Sequence, residues 1–262
     1  MRKIIKWLLP KPEERITGEE KFICNLEKDP EDERDYFVKA TPVQVLPSRV
    51  SLRKYCKGLV KSQGRIGSCG SHAFATALEI MLRKDKPSWF IETSELFHYY
   101  VVRDKDFMGT LPRDSGQYLR DGARVLKKIG ISPESLCPYD YRKFNEKPGI
   151  FAYGFARWWK IKSYQKCYDI QSIKSELAEG NPVVFGVGVT KSFLRNRNGE
   201  IKEIQNDPYA GGHAMVFIGY DEDKQAFELI NSWGTLWGKN GYAWMPYGWF
   251  QKRFLDAWTI YI

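Results

Sequence analysis

The chain has 262 residues, 43% of them hydrophobic and 28% charged, with 9 Trp, 15 Tyr and 15 Phe. That composition excludes a disordered chain and leaves room for one large or two modest domains with a real core. Lysine and arginine outnumber aspartate and glutamate by 41 to 32, a formal charge of +9. The basic residues are scattered, without zinc-finger spacing or a long basic helix, so nucleic acid is not expected as a ligand.

Residues 1–45 read as a charged N-terminal extension. Its apolar run at residues 4–9 is interrupted by Lys6 and stopped by Pro10, and no small-residue cleavage site follows; a signal peptide is not expected. Nowhere does the chain approach about 18 consecutive apolar residues, so no membrane span, and no membrane partner, is expected. The acidic stretch EKDPEDERD, residues 27–35, reads as solvated surface or tail, unless the N-terminus docks on the basic body. VLPSRVSLR, residues 45–53, reads as an extended lead-in, because Pro47 disfavours helix just before it.

Residues 46–155 carry helical patterning. After a turn set out by Gly58, Gly64, Gly67 and Gly70, the stretch AFATALEIMLRK places Phe74, Leu78 and Met81 or Leu82 on one side at helical spacing. A second helix is predicted over TSELFHYYVVRD, residues 93–104, with Thr93 or Ser94 as cap. A third covers YLRDGARVLKKIG and ends at Gly130. Residues 156–262 differ. A strand is predicted over 158–167 and a short helix over 169–180. Short runs rich in Val, Ile, Phe and Tyr follow: PVVFGVGV, HAMVFIGYD, AFELINSW and GYAWMPY. The expectation is an α+β fold in two lobes, with some exchange of strands between them.

The five cysteines are Cys24, Cys56, Cys69, Cys137 and Cys167. The number is odd, no C-x-x-C occurs, and there are only three histidines, so no metal site is expected. The set fits a reducing compartment, with the cytoplasm favoured and delivery in a virion as a second route. Cys69 stands in SQGRIGSCGSHAFATALE, a glycine turn that feeds a helix N-terminus. Free backbone N–H groups at such a place favour the thiolate and lower a thiol pKa. His213 lies in AGGHAMVFIGYD and Asn231 in ELINSWGTLWGKNGY. Cysteine, histidine and asparagine together can supply a nucleophile, a base and an orienting group.

The three blocks SQGRIGSCGSHAFA, GGHAMVFIGYD and INSWGTLWGKNGY resemble the active-site blocks of the papain-like cysteine peptidases, and most of all their microbial and viral branch. The resemblance runs from about Leu46 to about Tyr247. It implies a helical lobe and a β-barrel-like lobe with the active-site cleft between them. It also implies hydrolysis of peptide bonds in peptide or protein substrates, without a cofactor, by endopeptidase action. By position, Cys69 would be the nucleophile, His213 its base, Asn231 the group that orients the imidazole, and Trp233 the cover over that hydrogen bond. Gln63, six residues before Cys69 as in the family, would donate to the oxyanion with the Cys69 N–H. Gly116 would pair with an extended substrate. His72 and His98 are expected to be packed histidines.

Two positions depart from the family pattern. Ile66 stands where a disulfide cysteine is usual, and its burial is expected to replace that link. Gly70 stands where a tryptophan is usual and is expected to leave space on the leaving-group side. No long helical prosegment is recognisable before residue 46, so activation by pro-domain removal is not expected, and a short N-terminal segment that crosses the cleft or is trimmed stays open. Two other readings fit the same residues: a catalytically silent peptide-binding or structural module, and acyl transfer to an amine, as in a ligase.

Overall fold

A computed structural model describes residues 22–38 and 45–262; the apolar run at residues 4–9 lies outside them. Among the described residues, seven helices follow in chain order. They are α1 (Cys69–Asp85), α2 (Glu95–Arg103), α3 (Leu119–Lys128), α4 (Ile150–Ala156), α5 (Ile170–Ala178), α6 (Lys191–Leu194) and α7 (Tyr247–Arg253). The seven strands are β1 (Arg49–Ser51), β2 (Ser163–Cys167), β3 (Val183–Thr190), β4 (Tyr209–Asp221), β5 (Ala226–Ile230), β6 (Tyr242–Pro246) and β7 (Phe254–Tyr261). All strand pairs are antiparallel, in the order β2-β7-β3-β4-β5-β6, with β1 added alongside β4.

Helix α1 starts at Cys69 itself, ahead of the stretch AFATALEIMLRK that carries the helical spacing, and is buried along its length to Leu82. Its run of Ala, Leu, Ile and Met suits both helix propensity and close packing. Ser94 caps α2 by accepting from the Phe97 N–H at 3.0 Å. Asp169 and Ser172 form a reciprocal capping box at the start of α5. Gly130, just past α3, takes a φ of +94°, a conformation glycine adopts without strain.

The predicted strand over 158–167 shortens to Ser163–Cys167, because α4 runs directly into a 3-10 turn at Arg157–Trp159. Strand β7 has no counterpart in the sequence reading. It slots between β2 and β3 and is buried through most of its length. A small apolar core of Ile66, Leu96, Phe97, Tyr99, Val101, Val102, Val125, Ala152 and Ala156 sits among the helices. The larger core packs α1 and α3 on the sheet. Ile66 belongs to the small core, so burial does stand where the family disulfide would be. All five cysteines are free.

Candidate active site

The turn before α1 is tied to the chain leaving β5. Ser62 bridges to Trp233, and the Gln63 N–H donates to the Ser232 carbonyl at 2.9 Å. Gln63 Oε1 accepts from Ser232 Oγ at 2.9 Å and from Trp233 Nε1 at 3.1 Å, while its Nε2 donates to the Ile66 carbonyl at 3.0 Å. An amide nitrogen carries two hydrogens, so one N–H of the fully buried Gln63 remains available.

His213 lies in β4 and Asn231 directly follows β5, whose antiparallel pairing sets the two side by side. His213 Nε2 stands 2.8 Å from Asn231 Oδ1, which also accepts the Ser232 N–H at 2.8 Å. An oxygen that only accepts requires the proton on Nε2, which leaves Nδ1 as the basic nitrogen. Nδ1 has no hydrogen-bond partner among the described residues. Trp233 stacks on the imidazole with ring centres 4.2 Å apart. The backbone N–H groups of Cys69, Gly70 and Ala214, the residue after His213, lie near the Cys69 sulfur and favour its thiolate.

The expected low thiol pKa is not what this state has. Burial pushes the Cys69 thiol up to about 11, outweighing the three backbone donors that favour the thiolate. Burial also brings His213 down to about 4, although its Asn231 hydrogen bond acts the other way. Burial thus favours the neutral form of both groups, and a cover lies over the site.

That cover is the chain's own segment 22–38. Phe22 stacks on Trp233 at 4.2 Å. Burial takes the Cys24 thiol to about 12, and Cys69 lies close enough to add to that rise. Asn25 bridges to Gly212 in parallel and donates through Nδ2 to the Asp114 carbonyl at 3.1 Å. The Leu26 N–H donates to the Gly212 carbonyl at 3.1 Å. The Leu26 side chain lies against Gly186, where an added Cβ would come within 2.5 Å of it, with Leu119 and Leu255 at the same point. Gly116 has φ +71°, and a Cβ there would meet the Asn25 carbonyl oxygen at 2.7 Å. Its N–H goes to the Tyr99 hydroxyl at 3.2 Å, so it touches the segment without pairing with it.

The stretch expected to be solvated is partly a clamp. Asp29 is buried, accepts the Trp258 Nε1–H at 2.8 Å and the Arg120 N–H in the first turn of α3, and donates its own N–H to Asp256 at 2.6 Å. Asp35 takes the Arg120 guanidinium through two bonds of 2.7 and 2.6 Å, and Lys166 reaches both Asp35 and Asp256. The space expected beside Gly70 is filled as well. The buried Gln117 side chain stands 2.7 Å from where a Cβ on Gly70 would be.

Sequence reasoning missed Asp114, whose carboxylate accepts the Gly67 N–H at 2.9 Å and the Tyr99 hydroxyl. It so ties the turn before Cys69 to the loop of Gly116. His72 and His98 are buried and hydrogen bonded, His72 to Ser68 and His98 to Ser71 and Gly122.

A thiol at a helix N-terminus, facing a sheet that presents an oriented imidazole across a cleft, defines a cysteine-type hydrolase of two lobes. The chain belongs to the papain family of cysteine proteases, whose model matches residues 46–253. It is 34% identical over 214 residues to an uncharacterized peptidase C1-like protein of Acanthamoeba polyphaga mimivirus, covering 76% of this chain and 68% of that one. It is 28% identical over 195 residues to mouse pro-cathepsin H, covering 70% of this chain and 54% of that one, so it spans about half the length of this relative. The fold matches xylellain, a cysteine protease from Xylella fastidiosa, with a TM-score of 0.83 at 35% identity over 92% of this chain and 97% of that one. The protein is thus a papain-like thiol peptidase with an α+β two-lobed fold.

Proposed function

We propose that the protein is an endopeptidase that works through Cys69, and that segment 22–38 holds it latent in the state described. The observation that carries the chemistry is the His213–Asn231 bond under Trp233, which leaves Nδ1 as the only basic ring nitrogen. With the cleft open, Nδ1 takes the Cys69 proton. The thiolate attacks the substrate carbonyl carbon, and the oxyanion is met by the remaining Gln63 N–H and the Cys69 N–H. The carbon–nitrogen bond breaks as the imidazolium protonates the departing amine. Water then attacks the thioester, gives a proton to Nδ1, and the acid leaves as the thiol is restored.

Endopeptidase action is supported by the path of the segment, which enters beside Trp233 and leaves past Arg120. A polypeptide therefore fits through the cleft with residues on both sides of the thiol. No segment carbonyl accepts from Gln63 Nε2 or from the Cys69 N–H. The segment thus covers the thiol without offering it a bond to cleave. The slot that holds Leu26, between Gly186, Leu119 and Leu255, favours substrates with an aliphatic side chain at that position.

The test is digestion of an internally labelled peptide library by the full chain, its Leu26→Arg variant and its Cys69→Ala variant, with products read by mass. Internal cleavage by the opened variant, abolished by Cys69→Ala, is expected. Removal of terminal residues alone would overturn the endopeptidase reading. Products joined to an added amine would assign acyl transfer.

A further inference from the structure

Helix α4 is amphipathic in the inverted sense. Ala152 and Ala156 face the small helical core, while Ile150, Phe151 and Phe155 face outward within an arc of about 140°. Their exposures are 82%, 72% and 48%. Trp158, in the turn that continues the helix, is 58% exposed, and Arg157 lies 5.8 Å from its ring. Trp89 extends the patch: its carbonyl accepts the Trp159 Nε1–H at 3.1 Å, and it too is exposed. Exposed large apolar side chains are common singly, but five on one ridge mark an interaction surface.

The charge around the ridge identifies its partner. Residues 142–162 hold Arg142, Lys143, Lys147, Arg157, Lys160 and Lys162 against a single carboxylate, Glu146. Arg142 and Lys143 pair with Asp140 and Glu146, whereas Lys147, Arg157, Lys160 and Lys162 are exposed without a carboxylate partner among the described residues. An exposed ridge of Trp, Phe and Ile, flanked along the chain by unpaired cations, has the chemistry of an element that lies in the headgroup layer of an anionic bilayer. We propose that α4 and the turn after it dock the protein on anionic lipid surfaces. The absence of a membrane partner expected from the sequence rested on the lack of a spanning segment, and an interfacial helix needs none.

Co-sedimentation of the full chain with phosphatidylcholine vesicles, with and without phosphatidylserine, tests this. Binding to the anionic vesicles is expected, weakening with salt. Phe151→Ser with Trp158→Ser should cut it by about tenfold or more. Arg157→Gln and Lys160→Gln should each cost about fivefold on anionic vesicles only. All these side chains are exposed, so thermal unfolding should not change. The proposal is overturned by no binding to anionic vesicles, by equal binding after the paired substitution, or by loss of binding only when residues 1–21 are removed. It is also overturned if the free protein self-associates and Phe151→Ser abolishes that, which would assign the ridge to a second copy.

Discussion

Arg120 and Asp35 are joined through two short bonds, and this fork fastens the N-terminal segment to the start of α3 beyond the cleft. With Phe22 on Trp233 and Leu26 in its slot, it makes the segment a three-point cover over Cys69. The candidate catalytic groups lie beneath it, and burial favours the neutral form of Cys69 and of His213.

The clamp carries its own pH dependence. Asp29 is raised to about 7, first by burial and then by the Asp256 charge, with Trp258 and Arg120 acting against this; Lys166 and Lys28 face Asp256. An acid raised on docking favours the docked state at low pH. That contribution is complete below the ordinary carboxylate range, near 4, and is lost as pH rises through about 7. The rate of Cys69 alkylation, divided at each pH by that of Leu26→Arg, should therefore climb between pH 5 and 8. Asp29→Asn should flatten the climb, and a ratio that falls with pH would contradict the assignment.

In the opened enzyme, Asn231→Ala removes the acceptor that fixes the imidazole. kcat/KM on a fluorogenic peptide should fall about a hundredfold. Gln63→Ala should lower kcat by a similar factor, about 3 kcal/mol, with KM little changed. A KM effect without a kcat effect would mean that Gln63 only braces the Ser232 and Trp233 contacts.

Gly186→Val places methyl groups where Leu26 lies. The opened enzyme should then prefer small side chains over leucine, changing the ratio of kcat/KM values by about 10- to 200-fold. An unchanged ratio would move the specificity slot elsewhere.

Stability has a separate centre. Lys61 lies 2.9 Å from Glu79 and 2.6 Å from Glu95, and both carboxylates are buried. Burial raises both acids while Lys61 opposes the rise. Lys61→Met leaves two unpaired buried acids and should cost about 3–5 kcal/mol in urea unfolding.

The candidate catalytic set was legible because each member stands in a local block. The turn before Cys69, the strand start at His213 and the strand end at Asn231 all carry short-range signals, and the α+β class follows from patterning. A short N-terminal segment across the cleft was one open reading of the sequence; what holds it there was not legible. Asp29 is buried only because Asp256, Trp258 and Arg120 converge on it from distant parts of the chain, and its own neighbours read as solvated charge. Gly70 suggested empty space because nothing in its local sequence announces that Gln117 fills it. The inward alanines of α4 leave Phe151 and Phe155 outside, which inverts the usual reading of an apolar run.

The central claim is that segment 22–38 keeps a competent Cys69 latent. The most direct measurement is mass-mapped labelling by an epoxide thiol inhibitor of the full chain and of Leu26→Arg at equal concentration. Burying a leucine is worth enough to predict about 10- to 100-fold faster labelling of the variant, all of it on Cys69. Equal rates in the two proteins, or label on a cysteine other than Cys69, would contradict it.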